Sequence, residues 1–258
     1  MFEIKENNVD YGNWVPKRLV LILFIISSVL ILFSLLPFLL IIKIVLWISA
    51  ALFLYIFIVM FYLYYMFSKN NNEFQNTMRN NVVENLKWDG IDEALDIGTG
   101  AGALAITLAK QFPNSKIYAI DTWRRGWDYS KKKCENNAHI ENVSDRVEIK
   151  KASALEIPFN DGYFDAVVSN YVFHEVRAVK DRTIVIKEAL RVLKKGGVFS
   201  FQDLFKKEKI FGKIDDLIDK IKHWDIDEVY FKEPLNDLEL NKFLKFYMGK
   251  SGLICGKK

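Results

Sequence analysis

The sequence predicts an α/β domain built on a doubly wound, mostly parallel sheet, preceded by a helical hairpin that crosses a membrane. Three observations predict it. Two long apolar stretches stand near the N-terminus, short apolar strands then alternate with amphipathic helices, and a glycine-rich loop joins the first strand to the first helix that follows it. A chain of 258 residues has room for one ordinary domain and such a hairpin.

The hairpin comes first. From Leu19 to Phe67 the only charged residue is Lys43, which divides the run into Leu19–Ile42 and Ile44–Phe67. Each stretch exceeds the roughly 20 apolar residues that a transmembrane helix needs. With only a few residues around Lys43 to turn in, the two helices are expected to be antiparallel neighbours, with Pro37 either kinking the first or marking its turn. Lys17 and Arg18 precede the first span, and Lys69 and Arg79 follow the second. An excess of basic residues marks the cytoplasmic flank, so both ends of the hairpin are expected there. Tyr11 and Trp14 before it, and Phe61, Tyr62, Tyr64, Tyr65 and Phe67 at its close, suit the interfacial depth. The first stretch is too long for a cleaved signal peptide, and a second span follows it at once. The expected division is an N-terminal cytoplasmic segment at 1–18, the hairpin at 19–67, a connector at 68–87 and the soluble domain at 88–258. The hairpin either only tethers that domain or also admits a lipid-soluble substrate; no acid or histidine within the spans marks a site.

After a polar connector over Glu73–Leu86, helical near its end, Asp89-Gly90 signals a turn. Strands are expected at Glu93–Ile97, Lys116–Ile120, Val147–Lys151, Phe164–Ser169 and Val198–Gln202. Helices are expected at Ala101–Gln111, Tyr129–Ala138 and Arg182–Lys194, the last with Ile186, Ala189, Leu190 and Leu193 on one stripe that ends at Gly196-Gly197. Such alternation implies a parallel sheet covered on both faces. A further helix is expected near Ile214–His223 and a last short apolar run at Leu253-Ile254.

The net charge of +4 is spread over interleaved lysines and acids. That balance suits a solvated surface or a domain near anionic headgroups, and excludes a basic nucleic-acid arm. Cys134 and Cys255 have no metal-ligand spacing and read as two free thiols.

The chemistry concentrates in ALDIGTGAGALAI, Ala94–Ile106. Gly98, Gly100 and Gly102, with Thr99 among them, let a ligand approach the backbone, and the helix that follows offers free N–H groups. Gly98, Gly100 and Ala103 also satisfy the dinucleotide pattern GxGxxG/A. Asp96 favours the other reading: a carboxylate at the mouth of the first strand repels a pyrophosphate and attracts an ammonium and a sulfonium. The competing structural reading is an Asp that caps the loop. Asp121 ends the next strand, IYAID, where an acid can accept ribose hydroxyls.

DIGTGAG, IYAID, FDAVVSN and EALRVLKKGGVF, in that order and spacing, resemble the class I S-adenosylmethionine-dependent methyltransferases, over about Trp88–Phe201 and nearest to the small-molecule branch that includes ubiquinone and sterol methylators. The resemblance implies a Rossmann-like, seven-stranded sheet and S-adenosyl-L-methionine as cofactor. It implies loop contacts to the methionyl part at Gly98, Thr99, Gly100 and Gly102, with Asp96 near the amino group and Asp121, followed by Thr122, on the ribose. An acid often holds the adenine amine after the third strand of that family. Here Lys151-Ala152-Ser153-Ala154-Leu155 puts Ser153 there, next to Ala154. Asn170 and Tyr171 follow the fourth strand, where the transferable methyl is expected. His174 is the first candidate for a base and Glu175 the second, against the plainer reading of polar residues opening a helix. In Thr122-Trp123-Arg124-Arg125-Gly126-Trp127, Trp123 is either an adenine cover or a packed turn residue. His139 and His223 carry no assigned role.

These readings converge on an enzyme at the lipid bilayer that methylates a hydrophobic small molecule. A membrane-proximal protein as acceptor, a non-catalytic scaffold on the same fold and a nicotinamide-dependent dehydrogenase are the alternatives. No N/D-P-P-Y/F follows the fourth strand, which argues against the amino-methylators of adenine and glutamine, and no Pro-Cys pair or extended basic-aromatic surface points to nucleic acid.

Overall fold

The computed structural model describes residues 9–68, 73–124, 128–235 and 242–258. Lys69, Arg125, Gly126 and Trp127, named above, lie outside the described residues. The chain forms two compact units. One comprises Gly12–Asn76 and Arg124–Asp128; the other comprises Met1–Tyr11, Thr77–Trp123 and Tyr129–Lys258.

The first unit is the hairpin. Helix α1 runs over Lys17–Ser34 and α2 over Leu40–Met66. Both are long and apolar enough to cross a membrane. At about 1.5 Å per residue they measure roughly 27 and 40 Å. Most of their apolar side chains face outward; in α2, Leu40 and Ile41 are 73% and 77% exposed. The turn is not at Lys43, as the charge pattern suggested, but at residues 35–39 around Pro37. Proline has no N–H to continue a helix and disfavours a helical residue before it. Lys43 instead sits in the first turn of α2, its N–H bonded to the Leu39 carbonyl. Ser27 and Ala50 are buried, as expected where small residues let two helices approach. The hydroxyls of Ser27, Ser28 and Ser34 donate back to carbonyls one turn earlier, leaving no donor unpaired in an apolar surrounding. At the base Asn13 donates to the Tyr64 carbonyl at 2.8 Å, and Trp14 packs on Phe67 and Phe74 with ring centroids 5.3 and 6.0 Å apart.

Residues Glu73–Glu84 form helix α3 throughout, where the sequence suggested a polar connector. Its polar composition conceals an apolar stripe. Met78, Val82 and Val83 are buried, and Val82, Val83 and Leu86 join the core over one face of the sheet.

The second unit alternates β1 (Asp92–Ile97), α4 (Ala103–Gln111), β2 (Ser115–Asp121), α5 (Lys131–Ile140), β3 (Val147–Lys151), β4 (Phe164–Asn170), α6 (Thr183–Arg191) and β5 (Leu193–Asp203). It continues with α7 (Glu208–Phe211), α8 (Ile214–Lys222), β6 (Glu228–Lys232), α9 (Lys242–Met248) and β7 (Gly252–Lys257). The sheet is seven-stranded, in the order β3-β2-β1-β4-β5-β7-β6. Neighbours from β3 to β5 are parallel, and β7 inserts antiparallel between β5 and β6. This is a Rossmann-like methyltransferase-type topology. Each face carries its own core, one around Leu95, Val167 and Phe199, the other around Ala94, Ile117 and Val168. Alternate residues of one strand point to opposite faces and both faces are covered, which is why the centres of β1, β2 and β4 are buried on successive positions.

The junction of α6 and β5 differs most from expectation. Helix α6 stops at Arg191 rather than Lys194, and β5 begins at Leu193, well before Val198. A register shift between Phe164 and Ala166 takes up the irregular start of β5, and Gly196 has the left-handed φ of 82°. Strand β6 is half-buried only at Val229, Tyr230 and Phe231, between exposed Glu228 and Lys232, and is too short to carry a strong apolar signal.

Met78 is fully buried, so Met78→Ala should destabilise the sheet domain by about 2–4 kcal/mol. A thermal melt in detergent checks this; a solvated connector would show less than about 0.5 kcal/mol.

Candidate active site

The strand order reverses between β1 and β4, the place where open α/β sheets bind ligands at the carboxyl ends of their strands. The glycine loop leaves β1 there. Gly98, Gly100 and Gly102 have φ of 75°, 57° and 88°, all left-handed. Two of them are required by internal packing. A Cβ on Gly98 would stand 2.2 Å from the Val172 side chain, and one on Gly102 would stand 2.8 Å from Cys134 Sγ. Gly100 differs: a Cβ there would meet only the Tyr129 ring, at 3.6 Å. Its side of the loop is the one with room. The N–H groups of Gly98 and Thr99 are tied to the Ile120 carbonyl, at 2.8 and 3.0 Å, which fastens the loop to β2.

Asp121 stands at the end of β2 beside that loop. Its carboxylate accepts from Gly100 N at 2.9 Å and from Trp123 N at 2.7 Å. A carboxylate has about four acceptor positions, so two remain for a diol. Trp123, with φ 44°, donates its indole N–H to the Gly100 carbonyl at 2.8 Å. The ring is therefore held against the glycine loop, and Thr122 lies half-buried between the two.

Asp96 is only 1% exposed. Its Oδ2 accepts from Ala105 N, 3.1 Å away, in the first turn of α4. The carboxylate thus caps α4 from beneath the loop, the job treated above as the competing reading. Burial pushes its pKa up to about 7, against the lowering effect of hydrogen bonds such as that from Ala105. Ionisation of Asp96 therefore works against the fold as pH rises from the usual carboxylate range to about 7.

After β3, Ser153 Oγ accepts from Leu155 N at 3.1 Å, closing a local turn, and Ala152 N donates to the Asp121 carbonyl at 3.0 Å. The second bond ties this loop, with Ser153 and Ala154, to the end of β2. Asn170 ends β4, and its Oδ1 accepts from Gln202 Nε2 at 2.9 Å. Tyr171 has the left-handed φ of 56° and donates its buried hydroxyl to Ser251 Oγ at 2.8 Å.

Phe173–Glu175 is a single 3-10 turn rather than the start of a longer helix. Val172, just before it, is the residue that crowds Gly98, so this turn adjoins the glycine loop. His174 Nδ1 lies 2.6 Å from Asp203 Oδ1, and the backbone N–H of His174 donates to Asp203 Oδ2 at 3.3 Å. Asp203 is fully buried at the end of β5 and also accepts from Leu204 N. The second ring nitrogen of His174, Nε2, lies 3.5 Å from Glu175 Oε1. Burial lowers the histidine pKa, but the Asp203 carboxylate and then Glu175 outweigh it and the opposing Lys207, so the net shift is upward from 6.5. Asp203 was not singled out from the sequence. An acid closing SFQD at the edge of β5 was the available signal, and only the pairing of β5 beside β4 brings it to His174. His139 and His223 lie elsewhere, on α5 and just after α8. Cys134 and Cys255 are buried free thiols, with burial pushing their pKa values up to about 12 and about 11. Among the described residues there is no metal-binding cluster.

A family model described as a methyltransferase domain matches residues 95–201. Residues 95–201 thus resemble a methyltransferase domain. The chain is 33% identical over 124 residues to the demethylmenaquinone methyltransferase of Lactobacillus johnsonii, covering 48% of each chain. It is 31% identical over 151 residues to the release factor glutamine methyltransferase of Chlorobaculum tepidum, covering 47% of this chain and 50% of that one. The chain thus spans about half the length of the curated relatives it matches. A geranyl diphosphate C-methyltransferase from Streptomyces coelicolor superposes with a TM-score of 0.53 at 14% identity, over 71% of this chain and 79% of that one, a likeness of fold. The matched range covers the sheet from β1 to most of β5. The hairpin and the strands after β5 lie outside the matched range.

The raised pKa of His174 carries two consequences. Its pairing with Asp203 stabilises the fold fully below pH 6.5, and that stabilisation is lost as pH rises through the folded value. In Asp203→Asn, burial and Lys207 are opposed only by the weaker Glu175, so His174 should titrate at lower pH than in the unaltered protein. NMR of the imidazole protons across pH 5–9 measures the difference; equal midpoints would show that Asp203 does not act on the ring.

Proposed function

We propose that the chain is a membrane-anchored methyltransferase that uses S-adenosyl-L-methionine and methylates a lipid-soluble small molecule carrying an ionisable hydroxyl or similarly acidic group. The domain family indicates the cofactor and the small-molecule class. The pairing of His174 with Asp203, one turn from the glycine loop, carries the rest, because it supplies a held base where the acceptor would stand.

The site fits the cofactor. The left-handed glycines Gly98, Gly100 and Gly102, with Thr99 among them, form the cradle for the methionyl part, open at Gly100. Asp121 has two acceptor positions left for the ribose hydroxyls, and Trp123 and the Ser153-Ala154 turn border the place of the adenine. Asp96 acts on the cofactor through its charge beneath the loop. When bound, the cofactor supplies an electrophilic methyl on a sulfonium, transferred by in-line displacement. The protein positions the acceptor, excludes water and takes the acceptor's proton. Nδ1–H of His174 donates to Asp203, so Nε2 is the nitrogen that takes the proton. Glu175 beside Nε2 stabilises the imidazolium so formed. Asn170, held by Gln202, stands at the end of β4, where the transferable methyl is expected.

Two membrane-length helices in the same chain support an integral membrane location with two spans. Lys17 and Arg18 at the start of α1 favour a cytoplasmic N-terminus and catalytic domain. Lys43, near the opposite end of the hairpin, reaches the far headgroups. Anchoring places the site where a lipophilic acceptor dissolves. The likeness to a release factor glutamine methyltransferase favours a protein acceptor as the second reading.

The full-length protein in detergent is expected to bind S-adenosyl-L-methionine saturably in a calorimeter, and Asp121→Ala to weaken binding at least tenfold. Asp96→Asn keeps an acceptor for Ala105 N and removes the charge; it should weaken cofactor binding without lowering the melting temperature at pH 8. Unchanged affinity would leave Asp96 a helix cap only. His174→Gln should lower kcat about 100-fold or more with cofactor affinity intact. With labelled methyl donor and native membranes, label in the lipid extract supports the small-molecule acceptor, and label in a protein band supports the second reading.

A further inference from the structure

Asp10 and Tyr11 precede the hairpin in sequence, yet they belong to the compact unit of the sheet. Asp10 pairs with the side chain of Asn137 on α5 as one strand pairs with another. Its N–H donates to Asn137 Oδ1 at 3.1 Å, and its carbonyl accepts from Asn137 Nδ2 at 2.9 Å. Lys133 Nζ reinforces this from 2.7 Å on the Asp10 carboxylate. Tyr11 donates to Glu141 at 3.3 Å, and the Arg79 guanidinium lies over its ring, 5.3 Å from the centroid.

Asn137 is 2% exposed, and its amide does more than hold Asp10. Nδ2 also donates to the Ala101 carbonyl at 2.8 Å. Both donor hydrogens and the acceptor oxygen of a buried amide are thereby engaged, a fully satisfied polar centre of the kind that specifies one local geometry. Ala101 lies between Gly100 and Gly102, in the segment with the widest backbone freedom in the domain. Cys134, one turn before Asn137 on the same helix, is the residue that crowds Gly102. Helix α5 therefore grips the glycine loop at two adjacent points, and the segment before the hairpin grips α5.

We infer that residues 10–11 form a strap that completes the cofactor site, with Asn137 as the positioning residue that passes its hold to the glycine loop. The inference rests on the glycine loop being the cofactor cradle. A loop with three left-handed glycines loses much freedom on closing around a ligand. A strap that fixes it beforehand removes that cost from binding. The strap touches no reacting atom, so its loss raises the cofactor Kd and KM and leaves kcat at saturating cofactor unchanged. Two hydrogen bonds correspond to about a tenfold to thirtyfold effect.

The test uses the full chain in detergent, with S-adenosyl-L-methionine titrated by calorimetry, kcat and KM measured against it, and a thermal melt. Deleting residues 2–11 removes the strap, keeps the hairpin and leaves Asn137 bonded to Ala101; cofactor Kd and KM should rise about tenfold with kcat unchanged. Asn137→Asp keeps the acceptor for Asp10 N and loses both donors, and should have a larger effect in the same direction. Because that residue is buried and its variant can fail to fold, the deletion is the deciding variant. A deletion that lowers the melting temperature but binds cofactor as the unaltered chain does would overturn the inference alone. Absence of binding in the unaltered chain would overturn the cofactor reading and the inference with it.

Discussion

Everything at the site depends on one steric constraint: Gly98 has no room for a side chain. The Val172 methyl groups occupy the place a Cβ would take, so the turn after β4 rests directly on the loop after β1. Those two strands flank the switch in strand order, and their ends approach because the residue between them is glycine. The left-handed φ of Gly98 sends the chain back toward β2, where Ile120 accepts the N–H groups of Gly98 and Thr99. From that contact follow the position of Asp121 beside Gly100 and that of His174 two residues beyond Val172.

The polar groups around this contact are held by two different means. Asp121 lies at the rim, and its two backbone partners use only part of its acceptor capacity. Asp96 and Asp203 are buried, where an unpaired carboxylate is costly. Asp96 meets that cost in part through Ala105 N and in part by holding its proton up to about pH 7. Asp203 is surrounded by donors instead: the backbone N–H groups of His174 and Leu204 and the imidazole itself. Similar burial thus gives one acid that changes charge near neutrality and another matched to a histidine.

What could be read from the sequence was what is local in it. The alternation of β1, α4 and β2, the glycine loop and the acids at two strand ends all lie within about thirty residues, where periodicity and turn chemistry decide the structure. The hairpin was legible for the same reason, but its turn was misplaced. A lone lysine marks depth in a membrane, while a proline ends a helix, and Pro37 prevailed. Helix α3 was read only near its end because its stripe of Met78, Val82 and Val83 is sparse within a polar segment. Its burial is decided by the sheet face it covers. Asp203 and Asn137 were illegible for a stronger reason: their partners lie 29 and 127 residues away. No spacing rule pairs residues that only β-strand order or a returning N-terminal segment brings together.

The same distance in sequence explains why the residue that holds His174 in place could not be read from the chain around it. A histidine on a short 3-10 turn would ordinarily be free to rotate. Here Asp203 takes both its backbone N–H and its Nδ1, so the ring is fixed by two bonds to one carboxylate that is itself immobile at the end of β5. Rotation of the ring would leave a buried carboxylate short of a donor, at a cost well above a surface hydrogen bond. Burial alone would leave the imidazole a weak base. The carboxylate raises its proton affinity and sets the tautomer that leaves Nε2 to accept a proton. The orientation and the basicity of His174 are therefore one property of its contact with Asp203.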